Sequence, residues 1–370
     1  MIRVLSVFGT RPEAIKMAPV VRALRAASER FESLVCVTAQ HRAMLDQVLE
    51  VFDLEADADL DLMVPGQSPA EIAAGVLEGL PPILRRLRPD VVLVQGDTMT
   101  SFAAAFTAFL ERVPAGHVEA GLRTGDRWQP FPEEMNRVLT TRIAALHFAP
   151  TTVSRDALLA EGVPAPDVYL TGNTVIDALL QTVRPDYTFA TPALAALEPG
   201  RRLVLVTAHR RESFGAPLRS ICEAIRELAR RFPDLQFVLP VHPNPEVKAT
   251  VEEYLCDLPG MHLVAPVDYQ EFVHLMARAD LVLTDSGGVQ EEAPSLGKPV
   301  LVLREVTERP EGVAAGTARV VGTDRDRIVA AASELLTSPE AYARMANAVN
   351  PYGDGRAAER IAAALAQRFG

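Results

Sequence analysis

Short apolar runs rich in β-branched residues alternate with helical patterns along almost the whole 370-residue chain. Runs such as Val91–Gln95 and Leu203–Thr207 end in turns, and helical stretches such as Ala70–Leu87 and Pro217–Arg231 lie between runs of this kind. Apolar strands separated by helices are typical of parallel sheets that are covered on both faces. The alternation therefore predicts an α/β fold.

The alternation is interrupted over Thr182–Gly200, a proline-containing stretch with little periodicity that reads as a linker or a surface excursion. The length also favours two domains. We expect Rossmann-like domains at residues 1–172 and 173–354, with a last helix at 355–370 packing back on the first. Ligands of such sheets bind beyond the carboxyl ends of the strands, so we expect a site in the cleft between the domains.

Composition and charge exclude several classes of protein. The formal net charge is -11, which argues against nucleic acid as a partner because a phosphate backbone needs a basic face. No apolar run approaches the roughly 20 residues that span a bilayer, and the start MIRVLSVFGT does not have the pattern of a signal peptide. Three cysteines without a CxxC pair predict neither a disulfide framework nor a zinc site. We expect a cytoplasmic protein without a membrane partner.

Three acidic residues follow successive strands in the first half. Asp97 and Glu119 come at the ends of two predicted strands, and Glu133 opens the next helix, where Arg137 shares its face. A single acid in such a place commonly caps a helix. Three at adjacent strand ends indicate proton transfer.

The first strand ends in a turn that carries positive charge. Gly9 permits a tight turn, the amides that open the next helix can face an anion, and Arg11 and Lys16 are basic. One glycine does not make a dinucleotide fingerprint. A plain turn with solvated basic residues is the alternative.

In the second half, basic residues again follow strands. His209, Arg210 and Arg211 come directly after one strand, and Arg309 comes after a later one. An isolated histidine is usually structural, whereas a histidine beside two arginines indicates a diphosphate partner.

A second strand of that half runs into a glycine-rich turn. Ser286, Gly287 and Gly288 would let backbone amides and a hydroxyl approach phosphate oxygens. Glu292, further along the helix, is placed to bind both ribose hydroxyls. A serine N-cap before an acidic first turn is the alternative, but it leaves both glycines unexplained.

Together these segments are similar to one family. FGTRPEAIKMAP, QGDTMTSFAAA, HVEAGLRTGD, PFPEEMNR, AHRRESFG, SGGVQEEAPSLGKPVLVLR and TERPEGV resemble the non-hydrolysing UDP-N-acetylglucosamine 2-epimerases, in the order of that family and over nearly the whole chain. Ala208 and Ser213 depart from the threonine and asparagine expected there. Neither is titratable, so activity is not in doubt.

The resemblance implies a glycosyltransferase B-type fold and a reversible conversion of UDP-N-acetylglucosamine to UDP-N-acetylmannosamine, without metal, nicotinamide or other cofactor. UDP would be eliminated to leave 2-acetamidoglucal and then be added back. The product would supply N-acetylmannosamine for cell-surface polysaccharide. The resemblance also implies a homodimer and, in some members, a second UDP-N-acetylglucosamine that acts as an activator.

Site residues are carried over motif by motif. The resemblance implies four catalytic residues, Asp97, Glu119, Glu133 and His209. The implied substrate- and UDP-binding residues are Arg11, Lys16, Arg137, Arg210, Phe272 (near the uracil), Ser286, Gly287, Gly288, Glu292 and Arg309. The candidates for an activator site are Gln40, His41 and Gln67.

Three other functions stay open at this point. A UDP-sugar glycosyltransferase of the same fold would need an acceptor pocket, and the sequence shows no sign of one. A hydrolysing epimerase would release free N-acetylmannosamine, which only a product assay distinguishes. A non-catalytic UDP-sugar sensor would have no use for the three acids.

Overall fold

The structure, a computed structural model, describes residues 1–38, 42–62, 64, 66–208, 210 and 213–370, without the side chains of residues 42–44. The chain divides into two compact units. Unit 1 contains Met1–Gln181 and Tyr352–Gly370, and unit 2 contains Thr182–Pro351.

Unit 1 is built on a parallel sheet of seven strands in the described part of the chain. The strands are β1 (Ile2–Phe8), β2 (Phe31–Val37), β3 (Ala58–Asp59), β4 (Val91–Gln95), β5 (Ala115–Val118), β6 (Leu146–Ala149) and β7 (Val168–Leu170). Their order is β3-β2-β1-β4-β5-β6-β7, and every pair is parallel. The helices between them are α1 (Arg11–Ala26), α2 (Arg42–Val51), α3 (Pro69–Leu87), α4 (Met99–Leu110), α5 (Glu133–Ile143), α6 (Thr152–Ala160) and α7 (Thr174–Thr182).

Unit 2 repeats the arrangement with six strands among the described residues. They are β8 (Leu203–Thr207), β9 (Gln236–Pro240), β10 (Met261–Val264), β11 (Leu281–Thr284), β12 (Val300–Val302) and β13 (Ala318–Val320), in the order β10-β9-β8-β11-β12-β13, all parallel. Its helices are α8 (Pro192–Ala195), α9 (Ala216–Arg231), α10 (Pro245–Leu255), α11 (Tyr269–Arg278), α12 (Gly287–Glu292), α13 (Pro310–Ala315), α14 (Arg325–Thr337) and α15 (Pro339–Ala346).

Local chemistry explains where these elements begin and what they bury. The central strands β4 and β8 are buried at every position, as expected for strands with helices on both faces. Thr10 and Ser68 each form a capping box at the start of α1 and α3, with Glu13 and Glu71 as the reciprocal partners. The apolar sides of the strands and helices form the core of each unit.

In both sheets the strand order reverses at one point. It lies between β1 and β4 in unit 1, and between β8 and β11 in unit 2. At such a point the connections leave the sheet in opposite directions and open a crevice at the carboxyl ends of the strands. The segments that follow these four strands contain the Gly9 turn, Asp97, Arg210 and the Ser286 turn.

The structure differs from the sequence-based assignment in several short elements. The pattern did not predict β3 and β13, which are only two and three residues long. Thr182–Gly200, interpreted as a linker, contains α8, and Leu194 within it is buried. The units separate after Gln181 and after Pro351, rather than at 172/173 and 354/355, because α7 packs in unit 1, where Val175 and Ile176 form a buried cluster with Tyr352.

The last helix, α16 (Ala357–Phe369), belongs to unit 1 and contacts α1. Asp177 of α7 accepts hydrogen bonds from the first two backbone N–H groups of α16, at Ala357 (3.1 Å) and Ala358 (2.8 Å). Those N–H groups have no partner inside their own helix. A buried carboxylate on α7 therefore anchors the start of α16.

In the part of the chain that the structure describes, no helix combines the length and the apolar character that crossing a membrane requires.

Candidate functional site

Buried contacts hold the turn after β1. A side chain on Gly9 would collide with the hydroxyl of Thr38, so only glycine permits this close approach. Glu13 is buried and accepts hydrogen bonds from the N–H groups of Gly9 (3.1 Å) and Thr10 (2.7 Å). The hydroxyl of Thr98, after β4, donates a third (2.6 Å). Burial raises the pKa of Glu13, while these bonds, led by that of Thr98, oppose the rise. Glu13 thus joins the turns after β1 and β4.

The two basic residues predicted after this turn lie in different environments. Arg11 is exposed at the start of α1, and no residue that the structure describes forms a hydrogen bond or ion pair with its side chain. Lys16, one and a half turns further along α1, lies with its ammonium 2.6 Å and 2.7 Å from the two carboxylate oxygens of Glu119.

Glu119 follows β5 and is enclosed by donors. Besides Lys16, the amide of Asn173 donates to its Oε1 (2.9 Å), and the amide of Gln95 donates to its Oε2. Its backbone has φ 63°, a left-handed conformation that non-glycine residues rarely adopt. Gly96 lies beside this carboxylate, since a Cβ there would be 3.7 Å from Oε2. One ammonium group and two amides therefore fix this acid next to the segment that carries Asp97.

Asp97 is held by the first turns of α5. Arg137 directs Nε (2.9 Å) and Nη2 (2.6 Å) to its Oδ2, and the amide of Asn136 donates to its backbone oxygen (2.8 Å). Among the described residues nothing bonds to its Oδ1, and 27% of the side chain is exposed. The guanidinium of Arg137 thus anchors one carboxylate oxygen of Asp97, while no described residue bonds to the other.

Glu133 and Glu134 begin α5 and differ in environment. Glu133 is half-buried and forms no hydrogen bond or ion pair with any residue that the structure describes. The shared helix face suggested a contact with Arg137, but that guanidinium bonds to Glu134 (3.2 Å) and Asp97 instead. Glu133 is therefore available to a ligand.

His117 lies on β5, two residues before Glu119. Its Nε2 lies 2.7 Å from the backbone oxygen of Gly96, a residue with φ 70°. Burial lowers the pKa of His117 to about 3, and the Gly96 bond opposes this effect. The imidazole is therefore neutral and donates to that oxygen, which fixes the backbone immediately before Asp97. His117 was not among the site residues predicted from the sequence.

In unit 2, Asp285 connects the segments after β8 and β11. Its buried carboxylate accepts hydrogen bonds from the N–H of Arg210 (2.8 Å) and the hydroxyl of Ser213 (3.4 Å). The hydroxyls of Thr207 and Thr284 lie 2.6 Å apart, and the N–H of Ser286 donates to the Thr284 hydroxyl (3.0 Å). The Ser286 turn and the Arg210 segment are thus held side by side.

Two guanidinium groups lie at Gly287. A Cβ on Gly287 would be 3.6 Å from the guanidinium of Arg309 and 3.9 Å from that of Arg210. Arg309 also forms an ion pair with the buried carboxylate of Glu291. Two positive charges beside a glycine form a suitable environment for phosphate oxygens. Gly288 follows, and a Cβ on it would lie 3.6 Å from Glu292.

Glu292 and Phe272 complete this group. Tyr269, the half-buried first residue of α11, donates its phenol O–H to Glu292 (3.1 Å). Burial raises the pKa of Tyr269 well above its ordinary value, and the neighbouring Glu292 charge adds to this. The phenol is therefore a permanent donor to Glu292 at neutral pH. Phe272 is half-buried on the same helix.

Several predicted residues are not brought into these groups. His209, Gln40 and His41 lie outside the described residues. Gln67 lies in the loop before α3, where its Oε1 accepts from the N–H of Val64 (3.2 Å). The described residues contain no group of three or more His, Cys, Asp or Glu side chains arranged to hold a metal ion. The prediction that no cofactor is needed stays a prediction.

Other residues were missed although a signal existed. Gln95 and Asn173 are polar residues at or just after the carboxyl ends of strands. The acids were predicted as site residues because they occupy the same kind of position. Glu134 was passed over in favour of its neighbour, because the sequence does not reveal which of two adjacent acids turns inward.

The chain is similar to known proteins over nearly its whole length. A family model described as UDP-N-acetylglucosamine 2-epimerase matches residues 22–366. A UDP-N-acetylglucosamine 2-epimerase of Yersinia pestis is 55% identical in an alignment that covers 98% of this chain and 98% of that protein.

Solved structures of UDP-N-acetylglucosamine 2-epimerases are also similar to the chain over nearly its whole length. A putative UDP-N-acetylglucosamine 2-epimerase from Listeria monocytogenes has a TM-score of 0.94 at 49% identity, covering 100% of this chain and 96% of that one. The UDP-GlcNAc 2-epimerase from Neisseria meningitidis, solved bound to UDP-GlcNAc, has a TM-score of 0.88 at 46% identity, with 99% and 100% covered. A glycotransferase of kitacinnamycin, at 17% identity and a TM-score of 0.66, shares the fold alone. The predicted glycosyltransferase B-type fold of two Rossmann-like parts is confirmed.

Proposed function

The chain belongs to the UDP-N-acetylglucosamine 2-epimerase family, and we propose that it catalyses the non-hydrolysing reaction, a reversible conversion of UDP-N-acetylglucosamine to UDP-N-acetylmannosamine. The observation that carries this proposal is the set of acids at adjacent strand ends of unit 1. Asp97 keeps one oxygen open, and Glu133 has no partner in the described part of the chain. These are properties expected of groups that exchange protons with a ligand.

The chemistry explains why several acids are useful. The hydrogen on carbon 2 has no adjacent carbonyl and is not acidic. Breaking the anomeric C–O bond first sends its electron pair to UDP and leaves an oxocarbenium-like centre, which nearby carboxylates stabilise. The proton on carbon 2 then passes to a carboxylate, and 2-acetamidoglucal forms. UDP adds back to carbon 1 while a proton is delivered to the opposite face of carbon 2.

In this proposal, unit 1 acts on the sugar. Asp97, Glu119 and Glu133 stabilise the cationic centre and transfer the protons. Glu119 is suited to charge stabilisation because Lys16 and two amides hold it. Lys16 and Arg137 orient the acids, and Arg11 adds a positive charge for the anionic substrate.

Unit 2 holds UDP. Arg210 and Arg309 converge on Gly287, which supports binding of the diphosphate beside Ser286, Gly287 and Gly288. Glu292, held by Tyr269, would accept hydrogen bonds from the ribose hydroxyls. Phe272 would lie near the uracil.

Further parts of the proposal rest on the family resemblance. His209 is proposed as a catalytic residue, and Gln40, His41 and Gln67 as residues that bind a second UDP-N-acetylglucosamine as activator. We also propose a cytoplasmic homodimer that supplies N-acetylmannosamine for cell-surface polysaccharide.

The first prediction tests the reaction in heavy water. Purified protein incubated with UDP-N-acetylglucosamine should produce UDP-N-acetylmannosamine, and both nucleotide sugars should acquire deuterium at carbon 2, because the proton is exchanged with solvent during elimination and re-addition. Proton NMR and mass spectrometry measure both. Product without deuterium would exclude elimination, and free N-acetylmannosamine as the main product would indicate a hydrolysing enzyme.

A further inference from the structure

Glu134, the second residue of α5, is buried where its neighbour Glu133 is not. Both of its oxygens accept from the backbone N–H of Thr124 (3.1 Å each), and Oε1 also accepts from the N–H of Gly125 (3.0 Å). The same carboxylate pairs with Arg137 (3.2 Å). Glu134 therefore joins the loop before α5 to this guanidinium.

Arg137 uses all three guanidinium nitrogens. Nη1 goes to Glu134, while Nε and Nη2 go to the same oxygen of Asp97. A guanidinium is planar and rigid, so fixing one edge determines the direction of the other. The orientation of the Asp97 carboxylate, and with it the open position of Oδ1, depends on where Glu134 holds Arg137.

We infer that Glu134 is a positioning residue for the reaction, which acts on Asp97 through Arg137. This inference rests on the proposed function, in which Asp97 handles a proton. The arrangement runs from the backbone of Thr124 and Gly125, through Glu134 and Arg137, to Asp97. Glu134 itself does not touch the substrate.

A purely stabilising ion pair is the alternative role for Glu134. The two roles differ in what is lost on mutation. A stabilising pair, once weakened, changes the fraction of folded protein but not the turnover of the molecules that remain folded. Loss of a positioning residue lowers the turnover of the folded molecules, but only in a protein that still contains Asp97.

The second prediction is a double-mutant cycle. Glu134→Gln keeps the shape but removes the charge that holds Arg137, and a displaced reacting group commonly costs on the order of 100-fold in rate. We expect kcat to fall about 10- to 100-fold and KM to change less than about threefold. In an Asp97→Asn background the same substitution should change kcat less than about threefold, since the residues act as one unit.

The matched control is Glu161→Gln. Glu161 forms an ion pair with Arg123 (2.6 Å and 3.1 Å) in the same unit, without contact to Asp97, and its loss should leave kcat unchanged. If Glu134→Gln is not folded at the assay temperature, Arg137→Lys enters the same cycle with the same expectation, because lysine cannot reach both acids. Wild-type kcat in Glu134→Gln, or equal losses in both backgrounds, would overturn the inference.

A readout independent of turnover separates this inference from the proposed function. In protein labelled with ¹³C at aspartate carboxyl groups, the Asp97 signal is identified by its absence in Asp97→Asn. It should move in Glu134→Gln and stay in Glu161→Gln. An unmoved signal overturns the inference even if the protein is not an epimerase, whereas a wild-type protein without epimerisation overturns the proposed function alone.

Discussion

Several contacts at once fix the orientation of individual polar residues at the strand ends. Glu119 has a left-handed backbone, which costs about 1 kcal/mol or more for a non-glycine residue and persists only where the surroundings hold it. Lys16, Gln95 and Asn173 hold Glu119 in this conformation by donating hydrogen bonds to its carboxylate. His117 does the same for the neighbouring backbone by fixing the oxygen of Gly96. Such residues keep the acids in one orientation before any ligand binds.

The third prediction concerns His117. Burial lowers its pKa to about 3, against an ordinary value of 6.5 in the unfolded chain. Between these values the unfolded chain binds a proton that the folded chain does not, so stability falls as the pH drops below 6.5. From pH 7 to pH 5 this should cost about 2 kcal/mol. His147 on β6, whose pKa burial also lowers, acts in the same direction.

Urea unfolding at pH 7 and pH 5 measures this effect. The loss of unfolding free energy between the two pH values should be smaller in His117→Gln by about 2 kcal/mol. The same pH dependence in wild type and variant would show that His117 is not the group responsible.

At the scale of elements, helix starts connect parts of the chain that are distant in sequence. Asp177 on α7 receives the first N–H groups of α16, 180 residues later. In contrast to an exposed ion pair, this contact is buried and completes groups that a helix cannot satisfy itself. It therefore contributes to keeping the C-terminal helix in unit 1.

The fourth prediction tests this anchor. Asp177→Ala should cost about 1–3 kcal/mol, because two buried N–H groups lose their acceptor. Hydrogen exchange of the α16 amides, measured by mass spectrometry, should speed up more than exchange in unit 2. The control is Asp156→Ala, which removes an exposed pair with Arg155 in the same unit and should cost about 0–1 kcal/mol. Equal protection of α16 in wild type and Asp177→Ala would contradict the anchoring role.

At the scale of the whole molecule, two units with the same strand order carry different chemistry after their central strands. Unit 1 has carboxylates paired with cations, whereas unit 2 has hydroxyls, glycines and two guanidinium groups. The shared α/β frame places residues at the reversal of strand order. In the proposed function, the residues at this point of unit 1 transfer protons and those of unit 2 bind the nucleotide.

The fifth prediction follows from this division. Asp97→Asn should bind UDP within about threefold of wild type while turnover falls by at least about 100-fold, because it alters a proposed proton-transfer group and leaves unit 2 intact. Arg210→Met keeps the backbone bond to Asp285 but removes one charge from the proposed diphosphate site, so UDP affinity should fall at least about tenfold. Calorimetry with UDP and a turnover assay measure both. UDP binding lost in Asp97→Asn, or unchanged in Arg210→Met, would contradict the assignment.

Much of the fold could be predicted from the pattern of apolar and polar residues along the sequence. The bounds of β4 and β8 agree with the sequence-based ones, because buried parallel strands are short apolar runs between turns. The two-residue β3 and the three-residue β13 were not predicted, because two or three residues are too few to show a periodic pattern of apolar side chains. The pattern did not predict α7, because this short helix lies between the last strand of the first half and the stretch that was interpreted as a linker. Packing with Tyr352 places it in unit 1.

The sequence alone determined which residue types follow each strand, because the alternation of strands and helices places those positions together at one edge of a sheet. That was sufficient to find Asp97, Glu119, Glu133 and the Ser286 turn, and to indicate the family. Only the tertiary structure decided which partner each group has. Arg137 bonds to Asp97 and Glu134 rather than to Glu133, and Glu119 is held by Asn173 from 54 residues away. Hydrogen bonds depend on distances of a few tenths of an ångström between side chains of distant segments, and the order of residues along a chain does not contain those distances.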